Sequence, residues 1–469
     1  MTKQIVVNVV PEETRMALVE DGDMMEAAVE RTAAGHLVGN IYKGKVKNVL
    51  PGMQAAFIDI GRDRNAFLYI DDVIHLTVGQ DMMIQILKDE IGTKGPRATT
   101  RLSLPGRYVV LMPTSTYVGI SRRIENPVER ERLKNLAEEL KPADMGVIVR
   151  TVAENQSEEV LAKDILYLVN LWHSITVRAK ISKSPTLLYC DADLVIRLVR
   201  DLLAADTDEF IVDQPLAYDR VVELVKFTSP DLVDRVKLYD RAEDIFAFYG
   251  LEQELDKIGQ RNIVLKSGGY IVIDKTEALT VIDVNTGKFV GKTSLADTVL
   301  TTNLEAAEEI ARQLRLRDIG GIIIIDFIDM DRPSDQQAVL LALEGYLKKD
   351  RTKTNVLGLT ALGLVEMTRK KARQNLEMTL YADCPCCHGC GRIQSPETVT
   401  IQVHRALRKL AGETKLSHTL RVQVHPTVAE ILGEKASLAQ LEKYLAREII
   451  IEAVSTMDFE AFSILHEKD

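Results

Sequence analysis

"GGYIVIDKTEALTVIDVNTG", residues 268–287, is the stretch on which the fold turns. Two apolar runs, roughly 270–274 and 278–283, flank a polar turn, and short β-rich runs bounded by Gly and polar residues read as strands. The period then changes. In "DTVLTTNLEAAEEIARQLRLR" (297–317), Leu304, Ala307, Ala311 and Leu314 recur at helical spacing. Gly320-Gly321 stop the helix, and "IIII" (322–325) is a buried strand. A helical crossover of this length makes the two strands parallel, so their carboxyl ends share one edge of the sheet. Asp283 ends the first strand and Asp326 the second, with Asn285 and Asp329 just beyond. One such aspartate is most simply a turn cap. Two, on strands joined by one helix, favour a site for a hard cation such as Mg2+. Water bound to that cation can attack a phosphodiester.

Basic segments flank this region. "RQLRLR" (312–317) and "EMTRKKARQ" (366–374) read either as phosphate contacts or as solvated helix ends. Upstream, "QIVVNVV", "PEET" and "RMALVE" give strand, turn, strand within residues 1–35. Residues 35–73 contain short alternating strands broken by Gly and Pro-Gly, the pattern of a small barrel. Tyr42, Phe57, Phe67 and Tyr69 lie on these strands among Lys43, Lys45 and Lys47. Aromatic faces stack bases and ammonium groups meet phosphates, so the set suits single-stranded RNA. Alternation alone does not separate that reading from a barrel core. "PVERERLKNLAEEL" (127–140) reads as a helix whose charge run is a solvated face, and 158–180 and 191–204 also read as helices.

The 469 residues exceed what one core accommodates, and a 46% hydrophobic content supports several packed domains. Fifty-nine Lys and Arg against 69 Asp and Glu leave a net charge of -10, which argues only mildly against a nucleic-acid partner because local patches steer binding. The N-terminus lacks the basic and apolar segments of a secretion signal, and no apolar run approaches a membrane span. Four of the five cysteines fall in "ADCPCCHGCG" (382–391), and clustered thiols fit a reducing cytoplasm. Cys384/Cys387 and Cys387/Cys390 are overlapping C-x-x-C pairs, open to three readings: zinc, a redox pair or a disulfide staple. As zinc ligands, one C-x-x-C supplies half of a tetrahedral site, and no second cluster supplies the rest.

With these stretches in view, the sequence resembles the bacterial ribonuclease E/G family over nearly its whole length. The resemblance is carried by "NVVPEETRMALVE", "GNIYKGKVKNVLPGMQAAFIDIG", "GTKG", "LKSGGYIVID", "VIDVNTGKFVG", "ARQLRLRDIGGIIIIDFIDM", "ALGLVEMTRKK" and "CPCCHGCG". It implies an α/β and α+β multidomain fold. In it an RNase H-like domain (1–35 and 195–258) is interrupted by an S1 barrel of the oligonucleotide-binding type (36–105) and a 5′-sensor domain (106–194). A DNase I-like catalytic domain (259–383), a zinc link (384–395) and a small C-terminal α/β domain (396–469) would follow.

The same resemblance assigns residues. Asp283 and Asp326 correspond to the catalytic, Mg2+-binding aspartates and Asn285 to their supporting asparagine. Phe57, Phe67 and Lys94 correspond to S1 contacts with RNA, and Gly106, Val110, Arg150 and Thr151 to the 5′-phosphate pocket. Lys353 stands where one branch of the family has a pocket arginine, and lysine lacks the planar fork of arginine. The segment around 74–80 is short for the family. The chain ends at Asp469 without the long tail of that branch, implying no membrane or assembly scaffold. Cys384 and Cys387 correspond to the ligands of a Zn2+ shared by two chains, which implies a homodimer, with a homotetramer as a further option. Cys386, Cys390 and His388 fall at variable positions. The expected activity is that of a cytoplasmic, Mg2+-dependent, single-strand-specific endoribonuclease of rRNA maturation and mRNA turnover. It would prefer 5′-monophosphorylated RNA and leave 5′-phosphate and 3′-hydroxyl ends. The alternative is a non-catalytic RNA-binding assembly protein whose carboxylates are structural.

Overall fold

Alternation in "KQIVVNV" and "ETRMALVE" places strands at Lys3–Val9 and Glu13–Glu20, and a third strand, Asp23–Arg31, completes an antiparallel meander. The third strand goes beyond the strand-turn-strand expected here. Its hairpin turn is Asp21-Gly22, with φ of 52° and 92°, the left-handed pair that favours two-residue hairpins. The architecture is that of a computed structural model. The structure describes all residues except 1, 33–36, 70–75, 91–93, 288–294, 372–374, 411–418, 434 and 467–469. Two compact units make up the chain, Met1–Leu380 and Tyr381–Asp469. Part of the segment around 74–80, and residues 372–374 of the second basic run, lie outside the described residues.

In the first unit, Lys3–Val9 also pairs in parallel with Glu209–Val212, which pairs in parallel with Val236–Leu238. One five-stranded sheet therefore unites residues of the N-terminus with residues some 205 positions later. Helices Leu194–Asp201 and Pro215–Thr228 cover Ile5, Val7, Met16 and Leu18 on one face. Val6, Ala17 and Val19 on the other face pack against Ile245, Phe246 and Leu251. Burial of both faces explains why "VVNVV" is nearly all apolar.

The expected small barrel is present. Ile41–Leu50 pairs with Ala55–Asp59, which pairs with Ala66–Tyr69, then Arg97–Thr99, then Asp81–Lys88, which returns to Ile41–Leu50. Five strands thus close without free edges, and Thr186–Tyr189 adds to the outside of Ile41–Leu50. Next comes a four-stranded sheet in the order Val118–Ile120, Gly146–Val149, Val109–Met112, Leu104–Pro105. Helices Pro127–Leu140 and Glu158–Ile181 pack on it through Leu133, Ala137, Leu161 and Leu168. The first of these helices is less solvated than its charge run predicts. Glu129 is buried and accepts two bonds from Arg132 at 2.7 Å and one from the Asn155 N–H at 2.8 Å.

The last sheet of this unit has six strands in the order Asn262–Val264, Tyr270–Lys275, Leu279–Asn285, Gly321–Asp326, Val365–Arg369, Thr354–Leu359. Helices Leu295–Leu316 and Pro333–Leu347 cover one face, burying Ile271, Ile282, Ile323, Ile325 and Met367 with Ala307, Ala311 and Leu314 of the expected stripe. At about 25 cal/mol per Å2, burial of such side chains is the main stabilising term of this layer.

The second unit is a three-stranded sheet in the order Glu448–Ala453, Thr419–Val424, Phe462–His466, packed on helices Pro396–Lys409, Pro426–Leu432 and Lys435–Leu445. Among the described residues no helix is long and apolar enough to cross a membrane.

Candidate active site

Leu279–Asn285 and Gly321–Asp326 pair in parallel, and the register sets Asp283 directly beside Asp326. In a parallel pair, partnered residues project from the same face, with strands about 4.8 Å apart. That face is the one opposite the helices, because Ile282, Val284 and Ile325 turn the other way into the core. Both aspartates are exposed. The sequence reading ended the first strand at Asp283. In fact the strand continues two residues further to Asn285, because Tyr270–Lys275 pairs along it as far as Tyr270↔Asn285. The extension brings the Asn285 amide round to Asp283, to whose Oδ2 it donates at 2.8 Å.

A cavity of about 300 Å3 opens here, lined by Asp283, Asn285, Thr286, Asp326, Ile328 and Asp329 among others. Burial first, then the charges of Asp283 and Asp329, push the Asp326 carboxyl above its ordinary value. Like charges held together without a compensating cation are a poor arrangement for stability and a good one for a bound cation. Among the described residues no three or more His, Cys, Asp or Glu side chains are grouped so as to hold a metal ion by themselves. A Mg2+ ion held by one or two carboxylates and several waters fits such a set, and Asp283 and Asp326 are the groups that would hold it.

Four arginines of the basic segments beside this sheet depart from both readings, whereas Lys370 and Lys371 of the second run are exposed. Arg315 and Arg317 are buried, and Arg312 is largely so. Arg315 reaches Glu20 at 2.9 Å and Glu26 at 2.8 Å, and Arg317 reaches Glu377 at 3.0 Å. Arg312 pairs with Glu309 at 2.7 Å. Arg369 in the second run is buried against Asp350 at 2.7 Å and Asp318 at 2.6 Å. These guanidiniums are internal braces, neither phosphate contacts nor solvated ends. The reason is tertiary: helix Leu295–Leu316 packs on the N-terminal meander, so its last turns face carboxylates of Glu13–Glu20 and Asp23–Arg31.

In the barrel, Phe57 and Phe67 are cross-strand partners, half-buried, with ring centroids 5.7 Å apart at 73°. Tyr42 is in the barrel core instead, so it leaves the expected stacking set. Lys43 turns its ammonium to the carbonyls of Ala179 (3.0 Å) and Ser182 (2.9 Å), a structural role, while Lys47 pairs with Asp59 at 3.2 Å. Lys94 is exposed, and the Phe67 N–H donates to the Pro96 carbonyl two residues further on. Tyr69 is exposed.

Of the residues expected at a 5′-phosphate pocket, Arg150 is the one that contacts the Asp201 carboxylate. Arg150 donates to the Gly106 carbonyl at 2.7 Å and to Asp201 at 2.6 Å, and Thr151 shares a hydroxyl bond with Ser121 at 2.8 Å. Burial disfavours the Asp201 carboxylate, but Arg200 and Arg150 outweigh it and hold its carboxyl below the ordinary range. Arg351 donates to the Asp201 carbonyl at 3.1 Å, two residues before the exposed Lys353. Val110 pairs with Ile148 and Pro105 in the sheet. Gly106 is required: an added Cβ would lie 2.6 Å from Asp164. Asp164 accepts backbone N–H bonds from Tyr108 at 2.8 Å and Val109 at 3.0 Å and so fixes this turn. Neither Asp164 nor Asp201 sits in a sequence motif. Their roles come from tertiary contacts with residues 55 and 51 positions away, which local pattern does not encode.

In the second unit the four clustered thiols differ. Backbone N–H groups of Cys387 and Cys386 lower the pKa of Cys384, and the Gly391 N–H donates to Cys387 Sγ at 3.3 Å. Cys390 instead donates to the Arg392 carbonyl at 2.9 Å, and the neighbouring Cys384 raises the pKa of Cys386. His388 takes a left-handed conformation, φ 47°, at the turn.

The sequence also matches known proteins. The family model described as "Ribonuclease E/G family" matches residues 103–372, and that described as "RNase E/G, Thioredoxin-like domain" matches residues 383–468. The chain is 42% identical over 488 aligned positions to Ribonuclease G of Escherichia coli (strain K12), covering 99% of this chain and 100% of that protein. It is 40% identical over 486 positions to Ribonuclease G of Haemophilus influenzae, covering 98% and 99%. To Ribonuclease E of Haemophilus influenzae it is 36% identical over 482 positions, covering 98% of this chain and 51% of the longer protein. The chain belongs to the ribonuclease E/G family.

Proposed function

We propose that this member of the family is an endoribonuclease of RNA processing and decay that depends on Mg2+ and cuts single-stranded RNA. The observation that carries the reading is the parallel register of Asp283 with Asp326 at the mouth of a cavity shared with Asp329. Bound there, Mg2+ would lower the pKa of a water and offset charge on the phosphate oxygens. The protein's own part is to hold the two carboxylates side by side, with Asn285 fixing the rotation of Asp283. Attack by water leaves a 5′-phosphate and a 3′-hydroxyl. Phe57 and Phe67 offer stacking faces for bases, and Lys94 a phosphate contact. Arg150 with Gly106, Val110, Thr151 and Lys353 forms the proposed pocket for a 5′-monophosphate, in which the guanidinium is held by Asp201. The assignment of an RNase H-like sheet, S1 barrel, 5′-sensor and DNase I-like sheet to the four sheets of the first unit belongs to the same proposal.

The test is cleavage of one defined A/U-rich RNA, carrying 5′-phosphate or 5′-hydroxyl, with and without Mg2+. Metal-dependent cutting with 5′-phosphate products is expected. Binding without cutting would favour the assembly-protein alternative.

We further propose that Cys384 and Cys387 are the thiolates of a Zn2+ shared between two copies, since N–H donors point at these two sulfurs and not at Cys390. Ser at either position is expected to release zinc and yield monomers in sedimentation, whereas Ser at Cys386 or Cys390 leaves both unchanged.

A further inference from the structure

The helix Leu295–Leu316 carries one polar side chain that its packing role does not explain. Asn303 is completely buried, on the side of the helix that otherwise contributes Leu300, Ala307, Ile310 and Leu314 to the core. A buried amide needs all its bonds made, and a mid-helix Asn is weaker than an apolar residue for packing. Its partners are specific. Nδ2 donates to the Ile328 carbonyl at 2.8 Å, and Oδ1 accepts from the Ile328 N–H at 3.1 Å. Both polar groups of one loop residue are thus held by one side chain. Ile328 lies two residues after Asp326 and immediately before Asp329, and it lines the cavity with both.

No regular element holds this loop. Strand Gly321–Asp326 ends at Asp326, and the next helix begins at Pro333. Two residues further along the helix, Glu305 takes the Ser267 N–H at 2.9 Å, fixing the Gly268-Gly269 turn that packs against Asn285 and Gly287. Two loops, one beside Asn285 and one that contains Asp329, are therefore tied to one helix, and Asn303 holds the second.

We infer that Asn303 is a positioning residue for the catalytic carboxylates: by clamping both backbone groups of Ile328 it sets where Asp326 and Asp329 stand, and so the affinity of the cavity for a divalent cation. This rests on the reading of the cavity as the catalytic centre.

The experiment uses the full chain and three measurements: Mn2+ affinity by electron paramagnetic resonance, rate of cutting against Mg2+ concentration, and affinity for single-stranded RNA. Asn303→Leu removes both bonds. Asn303→Asp keeps the acceptor for the Ile328 N–H and sets a carboxylate against its carbonyl. Val339→Ala is the control, a core truncation in the same cluster on the neighbouring helix Pro333–Leu347, which removes no hydrogen bond to Ile328. Loss of a residue that orients metal ligands costs roughly 10–100-fold in metal affinity or activity. We expect Asn303→Leu to weaken Mn2+ by roughly 10–100-fold with RNA affinity unchanged, Asn303→Asp to weaken it as well, and Val339→Ala to leave Mn2+ affinity at the parent value. Parent-like Mn2+ affinity and Mg2+ dependence in a folded Asn303 variant would overturn the inference. If Asn303→Leu does not fold, Asn303→Asp decides. Failure of the underlying reading is distinguishable, because Asp283→Asn and Asp326→Asn would then also cut at the parent rate.

Discussion

The two ends of the strand Gly321–Asp326 treat charge in opposite ways. At its amino end, Asp318 and Asp350 are both satisfied by the buried Arg369, with Thr352 donating its N–H to Asp350 at 2.8 Å. At its carboxyl end, Asp326 stands beside Asp283 and Asp329, and no lysine or arginine among the described residues pairs with any of the three. The first arrangement is what a fold needs in order to bury charge at all. The second costs stability through repulsion, which the cation proposed to bind there would relieve. Charged residues close together in sequence thus divide by environment into internally paired braces and unpaired carboxylates.

Breaking the carboxyl end should have the largest effect on function and little on the fold. Asp283→Asn or Asp326→Asn is expected to reduce cutting to background while RNA affinity stays near the parent value and Tm is unchanged or higher. Gel assays of cleavage and filter binding check it. A variant that still cuts at the parent rate would remove these carboxylates from the centre.

Breaking the amino end should do the reverse. Arg369→Met leaves Asp350 and Asp318 without their cation and is expected to cost about 3–5 kcal/mol of stability, read by denaturant unfolding. Any activity that survives should keep the parent Mg2+ dependence.

A smaller effect is expected in the barrel. Phe57→Ala should weaken single-stranded RNA binding by about 1–3 kcal/mol through lost stacking, with the cleavage products unchanged. A large fall in Tm instead would assign the ring to the barrel core beside Tyr42.

The smallest is a pH effect that sharpens the comparison. Because the Asp326 carboxyl is raised in the folded state, by burial and then by Asp283 and Asp329, its protonation favours folding. That contribution is complete below the unfolded-state value and is lost as pH rises through the raised one. Without metal, Tm of the parent should therefore fall across that window by more than Tm of Asp329→Asn, in which one repelling charge is gone. Equal slopes would mean that Asp329 does not act on Asp326.

Much of this was legible in the sequence. Period alone located strand, helix and strand around the site, and β-branched runs ending in Asp marked both carboxylates, because a parallel crossover leaves few ways to arrange them. The barrel was readable from Gly-punctuated alternation. What local pattern could not say was which face each residue joined. Tyr42 and Phe57 look alike on alternating strands, and only closure of the barrel turns one inward. Arg315 of "RQLRLR" looked like part of a surface charge run because its carboxylate partners, Glu20 and Glu26, lie 295 and 289 residues away. Asn303 did leave a trace, a polar residue interrupting an apolar helical stripe, and its meaning required the loop it holds.

The sheet shared between the N-terminal meander and Glu209–Val212 has a consequence for synthesis. The meander leaves the ribosome well before its parallel neighbours, which are not complete until residue 238 has been made. At roughly 5–20 residues per second, that interval is about 10–40 s. The barrel and the sheet that follows it are built from nearby segments and are free to fold during the delay. An exposed edge on Lys3–Val9 must meanwhile wait for a partner. Slowing elongation between residues 32 and 208 should therefore raise the demand for chaperones on nascent chains more than slowing it after residue 238.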